Sequence, residues 1–364
     1  MSLLNPFPHA FGLDITNFRI RFVDLSMHRG FMGKKHLVVK AFNQTDLPEG
    51  LVKDGEIKDE KKLVEIIKSL LATAIPHRVN TRFVVTALPE PKTFLKVIEI
   101  PIMEDDEVPQ AIHWEIEKHL PFSIDEVTLD HQILNRRTND NRMVILVGAA
   151  ERKVVQSYHT VLKKAGLIPL AIEIEAIAIA RALLSTEEIE KPQLIVDIGR
   201  SRTNLILLAN GTVQFTTALQ FSGETIVQRL MDKLALKRDE AVKLRDLCGL
   251  DPRRCRGEVR KIVQGAFDDL LSRIETTLQF YQDHITNSAL PTNILLTGSN
   301  AQISGLAKII SDRIQTPASI ANHFQSIELM RNASVKKQFL NIAPGLATAI
   351  GCALRGVKSD VHDE

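Results

Sequence analysis

Apolar residues of this chain gather first into short runs of strand length, at Phe11–Ile15, Ile20–Leu25 and Leu37–Phe42. The period then changes. Within Asp59 to Ala72 the apolar positions are Leu63, Ile66, Ile67, Leu70 and Leu71, the spacing of an amphipathic helix. Arg82–Ala87 is again strand-like and ends at Leu88-Pro89. The pattern predicts a β-rich sheet with a crossover helix.

From Thr93 the chain changes character. Thr93–Ile100 alternates like a strand, and Glu104-Asp105-Asp106-Glu107 places acids where a helix start favours them. A helix is expected from Val108 to Leu120, with Ile112, Ile116 and Leu120 on one face and Pro121 as its stop. Val127–Leu134 and Met143–Ala149 read as strands around the turn Thr138-Asn139-Asp140-Asn141, and Glu151 to Ala165 as a helix ended by Gly166. This βαββα order over 93–165 reads as a compact subdomain. Further helices are predicted at Ile174–Leu184, Gly223–Leu234, Arg238–Asp246, Glu258 to about His284, Ile303–Ile314 and Pro344–Leu354.

Two segments half a chain apart share one design. Phe11-Gly12-Leu13-Asp14-Ile15-Thr16-Asn17-Phe18-Arg19-Ile20-Arg21 and Leu194-Ile195-Val196-Asp197-Ile198-Gly199-Arg200-Ser201-Arg202-Thr203-Asn204 each carry an apolar strand to an Asp, turn, and return. A third strand-turn is Ile294-Leu295-Leu296-Thr297-Gly298-Ser299-Asn300-Ala301. Turns of small residues direct backbone N–H groups outward toward phosphate oxygens. An Asp beside them suits a magnesium ion held through water. Two such hairpins across a cleft would clamp a nucleotide.

Composition narrows the field. With 364 residues, two or more domains are expected. The 46 basic and 44 acidic residues leave a charge of +2, without a basic stripe, which argues against a nucleic-acid partner. The most apolar stretch, Leu170 to Leu184, is interrupted by Glu173, Glu175 and Arg181, so no membrane span is expected. Met1–Pro6 lacks the basic start and apolar core of a secretion signal. Cys248, Cys255 and Cys352 lack metal-ligand spacing and read as reduced thiols of a cytosolic protein.

The Asp hairpins, the crossover and the late strand-Gly-turn-helix resemble the actin-like ATPase superfamily. Ile112-His113-Trp114-Glu115-Ile116-Glu117-Lys118-His119-Leu120-Pro121-Phe122, then Asp125-Glu126-Val127 and Asp130-His131-Gln132-Ile133-Leu134, are similar to the PilM family of type IV pilus assembly. So is Ile274-Glu275-Thr276-Thr277-Leu278-Gln279-Phe280-Tyr281. The likeness runs from Gly12 to Ala347 and favours PilM over the division protein FtsA. It implies an α/β actin-like (duplicated ribonuclease H-like) fold: two α/β halves around a nucleotide cleft, with an inserted βαββα subdomain. The halves would be 1–190, with the insertion at 90–166, and 191–364, with a helical part at about 216–290.

Carried over by residue, Asp14 and Asp197 would face magnesium and the phosphates of ATP or ADP. Thr16, Asn17, Gly199 and Ser201 would form the phosphate turns, with Arg21 where the family usually has Lys. Gly298, Ser299 and Asn300 would line the adenosine side, Gly223 the ribose, and Glu175 would stand near an attacking water. Thr16 and Ser299 replace glycines usual in the family, and a Cβ there is expected to strain the turns or obstruct the ligand. Each residue also has a plainer reading. Asp14 and Asp197 suit turn caps, Arg21 and Arg202 surface charges, Glu175 a helix-start acid, Trp114 core packing, and 104–107 a helix start rather than a metal site. The resemblance implies a cytoplasmic platform, peripheral to the inner membrane, that takes the N-terminal tail of a PilN-like membrane protein and connects it to the motor proteins, with self-association open. A slow ATPase, an FtsA-like filament and a scaffold that has lost its nucleotide are the alternatives.

Overall fold

The computed structural model describes residues 8–29, 35–137, 140–185, 188–284, 289–322, 327–328 and 332–358. Met1–Pro6 and the Thr138-Asn139 portion of the expected turn lie outside them.

The chain opens with strands β1 (Phe11–Ile15), β2 (Arg19–Arg29) and β3 (Lys35–Asp46), then a small hairpin, β4 (Val52–Lys53) and β5 (Glu56–Ile57). Helix α1 (Glu60–Ala72) follows, capped by the Asp59 carboxylate accepting from the Lys62 N–H, and buries Leu63, Ile67 and Leu70. After β6 (Ile75–Pro76) and β7 (Phe83–Leu88) comes the predicted βαββα segment. It consists of β8 (Thr93–Pro101), α2 (Val108–Glu117), β9 (Val127–Arg137), β10 (Arg142–Glu151) and α3 (Arg152–Lys164). Strand β11 (Ile168–Ile174) and helix α4 (Glu175–Leu183) lead to the second Asp hairpin, β12 (Gln193–Ile198) and β13 (Thr203–Ala209), extended by β14 (Thr212–Leu219). Then come α5 (Gly223–Leu234), α6 (Arg238–Cys248), α7 (Glu258–His284), β15 (Asn293–Thr297), α8 (Leu306–Ile314), β16 (Ala318–Ile320), β17 (Ile327–Glu328), α9 (Ala333–Ile342) and α10 (Ala347–Lys358).

Apart from the β4–β5 hairpin, these strands form two large sheets, each centred on one Asp hairpin. The first runs β11-β7-β1-β2-β3-β17, with β6 on β3; the second runs β16-β15-β12-β13-β14-β8-β10-β9. The strands of the βαββα segment therefore continue the second sheet, although they precede it in sequence. The junction is narrow, a single register pair, Phe215 opposite Lys96. Both sheets mix antiparallel hairpins with parallel neighbours, β7 beside β1 and β15 beside β12.

Helix α10 lies against β1 and α4. Its small residues permit this: Ala349, Cys352 and Ala353 are buried, and Gly12 of β1 sits against the α10 backbone with no space for a Cβ. An ion cluster joins the same elements, because Glu173 accepts from Arg181 and from Arg355 of α10, each at 2.7 Å.

Two expectations change here. Trp114 was assigned to the core, but it is 63% exposed. On α2 the buried positions are Val108, Ile112 and Ile116, and Trp114 lies two residues from the last two, roughly 200° around the helix. Cys248 and Cys255, read as separate thiols, are joined as a disulfide at the end of α6, while Cys352 is a buried free thiol. No single helix among the described residues is long and apolar enough to cross a membrane.

Candidate functional site

The two hairpins are built alike. Asp14 lies opposite Arg21 across β1–β2, and Asp197 opposite Asn204 across β12–β13, a separation of seven residues in both. Each four-residue loop is closed by the same backbone hydrogen bond, Thr16 N–H to Arg19 C=O and Gly199 N–H to Arg202 C=O, both 2.9 Å. In each, the cross-strand partner reaches the Asp. Arg21 Nη1 donates to Asp14 Oδ2 at 3.1 Å, and Asn204 Nδ2 to Asp197 Oδ2 at 3.2 Å. The third turn approaches from β15. Gly298 has φ 90°, which glycine tolerates, and an added Cβ would meet the Asp197 carboxylate. Asn300 Nδ2 donates to the Gly199 carbonyl at 2.9 Å, fastening this turn to the second hairpin loop.

Between the turns lies a cavity of about 100 Å³. Of the residues assigned from sequence, Asp14, Thr16, Arg21, Glu175, Asp197, Gly199, Ser201, Gly298 and Ser299 line it. Three do not. Asn17 turns away, its Oδ1 accepting from the Gly55 N–H at 3.3 Å, and Asn300 packs against Gly223, where an added Cβ would overlap its side chain. Thr16 and Ser299 carry no left-handed backbone, so the expected strain is absent. The Thr16 hydroxyl instead donates to the Arg19 carbonyl at 2.9 Å. Both side chains still border the cavity.

Arg21 is buried in the cleft and Arg202 half-buried there, and neither is a surface charge. Arg202, with a side chain 14% exposed, reaches across to α4 and donates through Nη2 to Glu175 Oε2 at 3.1 Å. Asn204 Nδ2 also donates to Glu175, at 3.4 Å. Glu175 is thus both a first-turn helix acid and a wall of the site. Sequence reasoning missed Asn204, although the repeated spacing of seven from Asp to partner marks it. It also missed Arg19, which ends the first loop as Arg202 ends the second, and Phe18, whose ring lies 4.3 Å beneath the Arg200 guanidinium.

Burial sets the electrostatics. It pushes Asp14 up to about 6, with Arg21 opposing and Glu175 adding to the rise. Asp197 is pushed up to about 7, by burial first and Glu175 second. Glu90, buried just after β7, also rises to about 7 through burial, partly opposed by a hydrogen bond with Thr216. The arrangement favours an anionic ligand: four arginines, Arg19, Arg21, Arg200 and Arg202, line the cavity with three carboxylates. The carboxylates of Asp14, Asp197 and Glu175 take these internal donors on one oxygen each, Oδ2, Oδ2 and Oε2, and among the described residues no cluster of three or more His, Cys, Asp or Glu side chains is arranged to hold a metal.

Known proteins share this architecture. A family described as "Type IV pilus assembly protein PilM" matches residues 12–357. A solved PilM-PilN type IV pilus biogenesis complex superposes with a TM-score of 0.80 at 25% identity, covering 97% of this chain and 99% of that one. MreB 5 of Spiroplasma citri, solved bound to AMPPNP, superposes with a TM-score of 0.54 at 14% identity over 95% of each chain, a likeness of fold alone. Among curated sequences, cell division protein FtsA of Pseudomonas aeruginosa is 22% identical over 188 residues, or 45% of this chain. The chain covers 44% of that relative's length. The two sheets, each with its Asp hairpin facing a shared cleft, are the actin-like ATPase fold.

Proposed function

This chain belongs to the PilM family of type IV pilus assembly proteins, and from that premise we propose that it is a binding platform for the N-terminal cytoplasmic tail of a PilN-like membrane protein. The observation that carries this reading is the near full-length likeness to the PilM-PilN complex. The tail would lie extended beside the βαββα segment, the mode in which short peptides gain main-chain hydrogen bonds and side-chain pockets together. The platform would sit on the cytoplasmic face of the inner membrane through this partner and pass its state to the pilus motor proteins. A fluorescent peptide of the PilN-like tail is expected to give saturable anisotropy at micromolar protein, about −8 kcal/mol, and a scrambled peptide none. No saturation with the native tail sinks the reading.

The cleft is the proposed nucleotide site, with ATP or ADP phosphates between the loops of residues 16–19 and 199–202. Binding is proposed rather than turnover. A general base needs a carboxylate aimed at its water, and Glu175 is drawn through Oε2 toward Arg202 and Asn204. Phosphate release from ATP is therefore expected at the rate of a buffer blank, and unchanged in Asp197→Ala. Steady release abolished by that substitution would establish the ATPase instead.

A further inference from the structure

We propose that Cys248 and Cys255 form a redox-active disulfide, opened by thiol–disulfide exchange with a dithiol reductant, that clips the α6–α7 connection shut. The pair does not line the cleft, and its chemistry is independent of the ligand there. Its Cα–Cα distance is 5.7 Å, a separation that a disulfide bridges without moving the backbone. The two ends differ. Cys248, the last residue of α6, is fully buried in the core of the second half, whereas Cys255 is exposed. An external thiolate attacks in line with the S–S bond, opposite the leaving sulfur. With Cys248 on the core side, Cys255 presents that approach to solvent. Arg253, Arg254 and Arg256 stand beside it in sequence, and Asp251 is the one acid within 249–257, so the local charge favours an incoming thiolate.

The connection is built to change when the bond opens. Cys255 and Arg256 both hold left-handed backbone, φ 50° and 53°, which residues other than glycine adopt singly and seldom in succession. The bond ties Cys255 in that conformation, and with free thiols both residues can return to ordinary turns. Exposed disulfides are the labile ones. On the cytoplasmic face, where the platform is proposed to sit, lasting disulfides are rare and exchangeable ones serve as sensors. The start of the connection is fixed independently of the bond. Leu250 is buried, its N–H donates to the Ser304 carbonyl at 2.7 Å, and Gly249 packs on the Ser304 backbone. Release therefore falls on 251–257 and leaves the core in place. In the exchange the reductant's thiolate bonds to Cys255 Sγ, the S–S bond breaks, and Cys248 leaves with the electron pair and takes up a proton. The reductant's second thiol then attacks its own bonded sulfur and displaces Cys255 as a thiol. The reductant departs as a disulfide, having given up two electrons.

The test is limited trypsin digestion of the full chain under native conditions, with and without dithiothreitol, read by mass spectrometry at the bonds after Arg253, Arg254 and Arg256. Dithiothreitol is expected to open the disulfide without denaturant and to speed cleavage there by about tenfold or more. Oxidised glutathione, leaving as two thiols, is expected to restore both the bond and the protection. Cys255→Ser, a conservative change at an exposed position, should be cleaved at the reduced rate whatever the reagent. Protein isolated with both thiols free, which oxidised glutathione then joins, also supports the proposal. A bond that opens only in denaturant, thiols that oxidised glutathione never joins, or equal cleavage in the two states overturns it. None of these results bears on tail binding, so the platform reading stands or falls separately.

Discussion

Replacing Gly351 by alanine is expected to destabilise the protein by about 3 kcal/mol, and replacing it by valine to prevent folding. Gly351 lies in the middle of α10, where glycine by itself weakens a helix by about 1 kcal/mol relative to alanine. It is tolerated because α10 crosses α4 at backbone contact: an added Cβ would overlap the Ala178 carbonyl, which has no flexible end to move aside. The opposite side of α10 is equally constrained by Gly12, so the helix has no room to retreat. Arg181 holds the same point, donating to the Gly351 carbonyl at 2.9 Å while pairing with Glu173. Gly265 in α7 supplies the control. Its nearest neighbour is the end of the Arg229 side chain at 3.3 Å, so Gly265→Ala is expected to stabilise by up to about 1 kcal/mol. Urea denaturation of the two variants should move in opposite directions; a neutral Gly351→Ala would mean that α10 and α4 do not cross at contact.

Close packing of this kind is invisible in a linear pattern, and the same limit explains what else the sequence withheld. The Asp hairpins were legible because register and loop length lie within a dozen residues, and both Asp residues border the cleft. Helices α1, α5 and α7 were legible from long stripes of apolar residues with clear ends. Strand β11 was not, because Ile168–Ile174 runs into the apolar residues of α4, and a short apolar run has no period that separates strand from helix. Strand β14 was hidden by its threonines, and α9 by its modest apolar stripe. The inward turn of Arg202 depends on Glu175, 27 residues earlier on another element, so no local signal announces it. Trp114 was a different kind of miss: helical spacing from Ile112 already placed it on the outer face, and residue type was allowed to outweigh position.

The protein is expected to gain stability as pH falls from 8 to about 5.5, the reverse of ordinary acid sensitivity. Asp14, at about 6, and Asp197 and Glu90, at about 7, all hold protons more tightly folded than unfolded, chiefly because burial disfavours their charged forms. Across that window the folded state binds more protons than the unfolded chain, so the stability slope with pH is negative. The contribution is fully present below the unfolded values near 4 and is lost as pH rises through 6 to 7. One unit is worth about 1.4 kcal/mol. Because the groups influence one another, a net gain of about 2 kcal/mol is expected, or roughly 4 °C in Tm. Below about pH 4.5 the trend should reverse, since Glu56, held down to about 2 by hydrogen bonds from Lys58 and Lys92, then loses its charge and its partners. Asp197→Asn keeps the shape and removes the charge that burial opposes. It is expected to raise Tm at pH 8 and to flatten the profile between pH 5.5 and 8. Thermal scans across this range decide the matter: a wild-type Tm that falls toward pH 5.5, or a slope unchanged in Asp197→Asn, would mean that the cleft carboxylates are solvated and ionised.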